Sequence, residues 1–224
     1  MLTSSPETLQ KQFGSAERRD IPPRYNIAPG QPVEIVRLLK GKREFVPMRW
    51  GLIPSWVKDP REFSLLINAR IESILDKPSF KNAIRRRRCL VPADGFYEWQ
   101  KAASRKRPFV IRPRIGGPVA FAGIWETWTD AQGGEIDTMA IITCPANQAL
   151  AKVHDRMPAI VRPEHFDAWL DAEKVDAETA LALIGPAPED FFEAFEVSTR
   201  VNKAENEGPE LIKPLDGLKG LYRD

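Results

Sequence analysis

The sequence predicts a single α+β domain over residues 1–224, with a mixed or antiparallel, barrel-like β core flanked by short helices. Short runs of β-branched and aromatic residues, bounded by glycine and proline, fill the middle of the chain and are typical of strands. Short helical patterns lie towards both ends. No repeat, low-complexity tract or sharp change of composition marks a linker between domains.

The first helix has signals at both of its ends. Ser5-Pro6-Glu7 combines a preferred N-cap residue with a proline at the first helical position and an early acid, and Gly14 is a typical terminating residue. Residues 25–32 contain prolines that a helix would not tolerate, so they predict a stiff loop. Two strands follow at residues 33–39 and 43–50, joined by a hairpin turn.

The later elements are predicted in the same way from periodicity and turn residues. They are a brief helix starting near Glu72, a helix over 79–85, strands over 89–92, 109–111, 119–128 and 136–143, helical spacing over 146–153, and a strand over 157–161. Beyond Pro163 the pattern predicts two helices, the second covering Ala180–Ile184 and ended by Gly185-Pro186. From about residue 203 the chain is polar and is predicted to run along the surface as a tail.

Composition narrows the class of protein. With 42% hydrophobic residues the chain can bury a core, and it has neither an apolar run of about 18 residues nor the features of a signal peptide. These observations predict a cytoplasmic protein without a membrane span. Cys89 and Cys144 lie in apolar runs and the chain has only two histidines, so we expect buried, inert thiols, no metal site and no cofactor.

Basic residues cluster in the middle of the chain. Arg85–Arg88 is followed by further cations at positions 101, 105, 106, 107, 112 and 114, while acids concentrate beyond residue 163. Such a face would attract a polyanion. Alternatively, the four arginines end a helix, where the helix dipole favours cations.

Three polar side chains follow apolar runs and are candidates for chemistry. Asn68, Glu98 and His154 together offer an amide, a carboxylate and an imidazole, which could orient, protonate and deprotonate a substrate. Glu98 stands between Tyr97 and Trp99, so partial desolvation should raise its pKa. The alternatives are a solvated carboxylate on a strand and a structural histidine.

Arginines and tryptophans near these positions are candidates for binding. Arg70 and Arg156 each lie two residues past a candidate polar group, where they could hold phosphates or simply face solvent. Trp50 and Trp56 lie in a segment broken by glycine and proline, which favours either stacking against a ligand or packing into the core.

Five ordered motifs resemble the SOS response-associated peptidase (SRAP) family, over a likeness that runs from about Leu2 to Pro214. The motifs are RWGLIPSW at 49–56, NARIE at 68–72, CLVPADGFYEW at 89–99, FAGIW at 121–125 and HDRMP at 154–158. The resemblance implies shielding of abasic sites in single-stranded DNA, with no metal, no organic cofactor and no obligate protein partner. It also implies a cytoplasmic location, with the protein nucleoid-associated when it is bound to DNA.

The resemblance implies a mechanism and residue roles. Family members remove their initiator methionine, and the exposed cysteine condenses through its α-amine and thiol with the ring-opened sugar to give a thiazolidine crosslink. Asn68 would position the sugar, Glu98 would move protons, and His154 would assist ring opening or later reversal. The implied DNA contacts are Arg70 and Arg156 to phosphates, Thr143 as a polar contact, and Trp50, Trp56 and Trp99 as supporting or stacking rings.

The family pattern begins Met-Cys-Gly-Arg, whereas this chain reads Met1-Leu2-Thr3-Ser4-Ser5. An internal cysteine has no free α-amine, so neither Cys89 nor Cys144 can replace the missing nucleophile. Two explanations stay open: a start codon placed too far downstream, and a shortened chain. An alternative function is a noncovalent single-stranded DNA-binding module that performs no chemistry.

Overall fold

The computed structural model describes residues 1–15, 19–101 and 106–215. Its strands are β1 (Pro32–Leu39), β2 (Lys42–Trp50), β3 (Asn68–Arg70), β4 (Arg88–Ala93), β5 (Phe96–Lys101), β6 (Lys106–Pro113), β7 (Val119–Thr129), β8 (Glu135–Pro145), β9 (Arg156–Pro158), β10 (Ile160–Val161), β11 (Ile184–Gly185) and β12 (Phe192–Glu196). Its α-helices are α1 (Pro6–Phe13), α2 (Lys81–Arg86), α3 (Gln148–Ala151), α4 (Phe166–Leu170) and α5 (Ala177–Leu181). Short 3-10 helices cover Ile71–Ser73, Pro163–His165, Thr199–Asn202 and Pro209–Ile212.

Five strands close into a mixed barrel, which confirms the predicted α+β barrel. β1 pairs with β2 and β4, β4 with β7, and β7 with β8, all antiparallel. A parallel pairing between β2 and β8, with Arg49 opposite Thr138, completes the ring. β3 and β9 extend from β8, and β10 and β11 extend from β7. A second, antiparallel sheet of β12, β6 and β5 packs against this barrel through a shared apolar core.

Local signals explain the ends of α1. The Ser5 side chain accepts a hydrogen bond from the Thr8 N–H, Pro6 opens the helix, and Gly14 ends it in the left-handed region at φ 64°. Leu9 and Phe13 face inward and are fully buried. The helix predicted from the N-cap and the glycine is therefore confirmed.

The barrel interior is tightly filled with apolar side chains. A Cβ on Gly123 would lie 2.8 Å from the Cys89 sulfur and 2.8 Å from Val91 Cγ2, so only glycine fits there. Cys89 and Cys144 are both buried, as predicted. Burial raises the pKa of both thiols, that of Cys144 to about 11.

Several predicted elements after residue 145 are corrected. The strand predicted over 157–161 is two strands, because Ala159 breaks the run and sends β9 to β8 but β10 to β7. The helix predicted over Ala180–Ile184 ends at Leu181 instead, and Ile184–Gly185 pairs with β10 as β11. β12 had no predicted counterpart; its partner, β6, lies about 80 residues earlier in the chain.

The arginine run does not form one electropositive face. Arg88 is 2% exposed and donates to the carbonyl oxygens of Trp169, Ile84, Asp171 and Val175 at 2.5, 3.3, 3.0 and 2.8 Å. Arg87 forms an ion pair with Glu126. Of the four arginines, only Arg85 and Arg86 are exposed, in the last turn of α2. Arg87 and Arg88 therefore add no free cation to an electropositive face, and Arg85 and Arg86 lie at the helix end, as the alternative interpretation expected.

The C-terminal segment is more closely attached than its polar composition suggests. Leu211 is fully buried, and Val201 is 3% exposed. Residues 216–224 and Arg105, which belonged to the predicted tail and basic cluster, lie outside the described residues. Among the helices of the described residues, none is long and apolar enough to cross a membrane.

Candidate active site

A cavity of about 640 Å³ opens at the end of the barrel where β2, β4 and β8 finish. Apolar residues of the barrel line it, namely Val33, Val91, Phe121 and Ile141. Residues of β5 and of the segment after β12, namely Val201, Asn202 and Ala204, line it as well. Asn68, Glu98 and His154, which come from three separate parts of the sequence, all line this one cavity.

The fold positions each of the three polar side chains by a different element. Asn68 begins β3, which runs parallel to β8 and places Asn68 opposite Ile141. Glu98 lies in the middle of β5, opposite Phe109 of β6. His154 follows α3, and its Nδ1 accepts the backbone N–H of Arg156 at 3.1 Å, which orients the imidazole ring.

Burial determines the electrostatics of Glu98. Desolvation raises its pKa, and the Asp155 carboxylate adds to this effect. The nearby imidazole of His154 and a backbone hydrogen bond from Trp99 oppose the increase without cancelling it. A glutamate with a raised pKa keeps a protonated fraction closer to neutral pH, so it can give a proton as well as accept one.

Arg156 is held firmly at the edge of the cavity. Its two terminal nitrogens donate to Glu72 at 2.7 and 3.0 Å, and one of them also donates to the Thr143 carbonyl and hydroxyl oxygens at 2.6 and 3.2 Å. Among the described residues, its buried Nε has no hydrogen-bond partner. Arg70 is exposed and lines the same cavity. Glu72 and Thr143 therefore fix the guanidinium of Arg156, whereas Arg70 is exposed to solvent.

The three candidate tryptophans have different surroundings. Trp50 packs against the core and donates its Nε1–H to the Ile67 carbonyl at 2.9 Å, and it still lines the cavity. Trp99 donates to Asn202 Oδ1 at 2.8 Å and forms part of the wall. Trp56 is 57% exposed, contacts Phe63 edge-on and is absent from the described cavity lining.

Asn26 is a site residue that the sequence did not reveal. It is 5% exposed, lines the cavity, and its amide nitrogen donates to the carbonyl oxygens of Val201, Lys203 and Asn206 at 3.2, 3.0 and 3.2 Å. Glu207 forms a second link between the two segments, because its carboxylate accepts hydrogen bonds from the backbone N–H groups of Tyr25 and Asn26. An asparagine in a proline-rich loop suggested a turn, and no local signal points to a partner 175 residues away.

Met1 also contributes to the cavity. Its α-amine is buried and donates to the Gly95 carbonyl at 3.0 Å, and burial lowers the pKa of this amine to about 6. The next residue, Leu2, is anchored by a backbone bridge to Arg24. Among residues 1–15, 19–101 and 106–215, no three His, Cys, Asp or Glu side chains are grouped to hold a metal ion.

The structure is thus that of an α+β protein with a closed mixed barrel and an amide, a carboxylate and an imidazole at its mouth. The sequence profile of the family described as SOS response associated peptidase (SRAP) matches residues 1–204. The chain belongs to this family, which confirms the resemblance found in its five motifs.

Named relatives and solved structures agree with this assignment. The chain is 38% identical to the abasic site processing protein YoqW of Bacillus subtilis over 85% of this chain and 86% of the relative. It is 34% identical to the abasic site processing protein YedK of Escherichia coli, over 88% and 90% of the two chains. A crystal structure of a Bordetella bronchiseptica protein superposes with a TM-score of 0.76 at 25% identity, over 88% of this chain and 97% of the other.

Proposed function

We propose that this protein processes abasic sites in single-stranded DNA, and that a form with an N-terminal cysteine crosslinks to them as a thiazolidine. The observation that carries the proposal is the convergence of Asn68, Glu98 and His154 in one cavity bordered by Arg70 and Arg156. The names of its relatives as abasic site processing proteins support it.

The proposed chemistry has two bond-forming stages. The neutral α-amine attacks the C1′ aldehyde of the ring-opened sugar, and the resulting carbinolamine loses water to give an imine. The thiolate then adds to the imine carbon while the nitrogen takes up a proton, which closes the five-membered ring. An α-amine suits this role because its ordinary pKa, near 8, leaves a neutral fraction at pH 7 that lysine does not have.

Glu98 supplies the proton movements in this scheme. Its protonated form gives a proton to the carbinolamine hydroxyl as water leaves, and its carboxylate then accepts the proton lost by the amine. The raised pKa of Glu98 supports this role, because both protonation states are then accessible closer to neutral pH. The same residue would serve the self-catalysed removal of the initiator methionine.

The remaining residues position the sugar, assist its ring opening and bind the DNA strand. Asn68 positions the sugar, and His154 assists opening of the deoxyribose ring. Arg70 and Arg156 bind phosphates beside the lesion, and Thr143 holds the Arg156 guanidinium in place. Trp50 and Trp99 support the distorted strand at the cavity, and Trp56 offers an exposed ring for stacking.

The N-terminus can be tested by adding the family's opening residues. The Met1 amine lies in the cavity wall, so a Met-Cys-Gly-Arg segment placed ahead of it, with zero to two spacer residues, would begin at the site. We expect this variant to form a crosslink with abasic single-stranded DNA that survives a denaturing gel. Mass spectrometry should show loss of the added methionine.

Two matched controls make the result specific. The same variant with serine in place of the added cysteine should form no thiazolidine, and a tetrahydrofuran lesion, which has no aldehyde, should not be crosslinked. If the cysteine variants bind abasic DNA but never crosslink, the proposed chemistry is wrong. If the 224-residue chain itself forms a thiazolidine-type adduct, the requirement for an N-terminal cysteine is wrong.

A noncovalent DNA-binding module is the second candidate, and the exposed Trp56 ring favours it. Simple binding should weaken steeply with salt and should not distinguish a lesion from an intact strand. Abasic-site processing instead requires preference for the lesion. Binding of intact and tetrahydrofuran-containing strands, measured across a salt series, separates the two functions.

A further inference from the structure

A second cleft opens from the cavity beside Glu98 and His154. It has a volume of about 400 Å³ and shares Glu98, Trp99, His154 and Asn202 with the main cavity. The described lining residues that it does not share are Lys101 and Lys106. Neither Arg70 nor Arg156 is among its described lining residues.

Two lysines face each other at the end of the β5–β6 hairpin. Lys101 and Lys106 are directly opposite residues of the antiparallel pair, and both are exposed. Like charges directly opposite each other on one face destabilise a sheet. The adjacent arginine, Arg107, is already paired with Glu196, so the two lysines are the cations that this cleft presents among its described residues.

The charge balance of the cleft favours an anion. Its one described acid, Glu98, has a pKa raised by burial, which reduces the negative charge opposing the lysines. Trp99 provides a flat apolar wall and is fixed by its hydrogen bond to Asn202. Paired ammonium groups beside an anchored indole ring are suited to a phosphodiester strand with stacked bases.

The proposed function requires such a second path. An abasic nucleotide within a strand carries a phosphate on its 5′ side and another on its 3′ side, so the strand must leave the cavity in two directions. Arg70 and Arg156 both border the main cavity, and neither is among the described residues that line the cleft. We propose that the cleft of Lys101 and Lys106 binds the phosphates of the strand on the other side of the lesion, an inference that rests on the proposed function.

The test is equilibrium binding of tetrahydrofuran-containing single strands by the double variant Lys101→Gln/Lys106→Gln across a salt series. Each lost phosphate contact flattens the slope of log K against log salt by about 0.7, so two contacts flatten it by about 1.4. That change corresponds to about 25-fold weaker binding at 0.1 M salt when the affinities converge at 1 M. Lys101→Arg/Lys106→Arg should restore the slope.

Strand polarity and a charge-matched control sharpen the test. Oligonucleotides that extend only 5′ or only 3′ of the lesion should show the defect for one polarity and not for the other. Lys77→Gln/Lys81→Gln removes the same charge from exposed residues that line neither described cavity, and it should keep the original slope.

Different outcomes would contradict the cleft assignment and the proposed abasic-site function. An unchanged salt slope in Lys101→Gln/Lys106→Gln, or an equal defect in the Lys77/Lys81 control, would overturn the cleft assignment. If the unaltered protein shows no preference for the lesion, the proposed function fails. A cleft-dependent slope on intact strands would still support the phosphate path in that case.

Discussion

Replacing Asn26 with alanine should loosen the wall of the cavity formed by residues 201–206. The Asn26 amide has two N–H donors, and three carbonyl oxygens lie within 3.2 Å of its nitrogen. The substitution takes the Asn26 donor from the buried Val201 carbonyl and from the part-buried Asn206 carbonyl, while the Lys203 carbonyl keeps the backbone N–H of Asn206. A buried carbonyl without a donor costs roughly 1–3 kcal/mol, reduced where water reaches it. We therefore expect Asn26→Ala to lower the free energy of unfolding by about 2–4 kcal/mol.

Asn26→Asp is the informative companion, because it keeps the shape but removes both donors. At neutral pH the aspartate carboxylate would face the same carbonyl oxygens, so this variant should be less stable than Asn26→Ala. Burial beside acceptors raises the folded-state pKa of the new carboxyl above its unfolded value of about 3.9. The extra cost should therefore be absent below about pH 3.9 and should grow as the pH rises through the folded-state pKa.

Urea unfolding at several pH values measures both effects, with an unchanged denaturant slope showing that two-state unfolding is preserved. Binding of a tetrahydrofuran-containing strand should weaken in parallel, because residues 201, 202 and 204 line the cavity. Free energies of unfolding within about 0.5 kcal/mol of the unaltered protein for both variants would contradict this role of Asn26. A more stable aspartate variant than alanine variant at pH 7 would contradict it as well.

Three further substitutions test the buried polar groups and the close backbone contact. Because burial raises the Glu98 pKa above its ordinary value of 4.5, the protein should lose stability as the pH rises through the folded-state pKa, and Glu98→Gln should abolish that loss in pH-dependent thermal unfolding. A slope that persists in Glu98→Gln would assign it to another group. Arg88→Met removes the side-chain donor to the Trp169 and Val175 carbonyls and should cost about 3 kcal/mol in urea unfolding. Equal stability would mean that water satisfies these carbonyls. Gly95→Ala places a Cβ 2.5 Å from the Ile111 carbonyl oxygen and 2.5 Å from Met1 Cε, and should cost about 1–3 kcal/mol, whereas Gly41→Ala, with open space around its Cβ but φ 73°, should cost less.

Local sequence chemistry was sufficient for the elements whose signals are local. Ser5 and Gly14 delimit α1, and the alternating residues on each side of Lys40-Gly41 give the β1–β2 hairpin. The strand pair at Ile184–Gly185 could not be predicted, because two residues carry no periodicity and their pairing with β10 is tertiary. Short strands that are stabilised by partners far away in the sequence cannot be predicted from local residue patterns.

Charge is the clearest case where the sequence pattern was misleading. Arg87 and Arg88 are adjacent to exposed arginines, yet one packs over Trp125 and pairs with Glu126, and the other is enclosed by backbone carbonyls. Nothing in a run of four arginines distinguishes a solvated guanidinium from one that ties a helix end to a strand. The difference depends on which carbonyls the fold leaves without donors.

The polar residues of the candidate site could be predicted from the sequence, but the residues that hold the cavity wall and Arg156 in place could not. Asn68, Glu98 and His154 follow apolar runs, and that position identified them before their shared cavity was known. Glu72, which holds Arg156, and Asn26, which holds residues 201–206, looked like ordinary surface and turn residues. Their partners lie 84 and 177 residues away, so only the folded chain shows their positions.

The parallel closure between β2 and β8 has a consequence for the order in which the protein is made. A nascent chain that has emerged only as far as β7 lacks the strand that joins β2, β3, β7 and β9. Closing the ring brings Arg49 to Thr138 across a long stretch of chain, a contact whose entropic cost delays folding. The segment carrying His154 is synthesised after β8, and Val201, Asn202 and Ala204 are synthesised later still, so we expect a growing chain to form this cavity only after these residues have emerged.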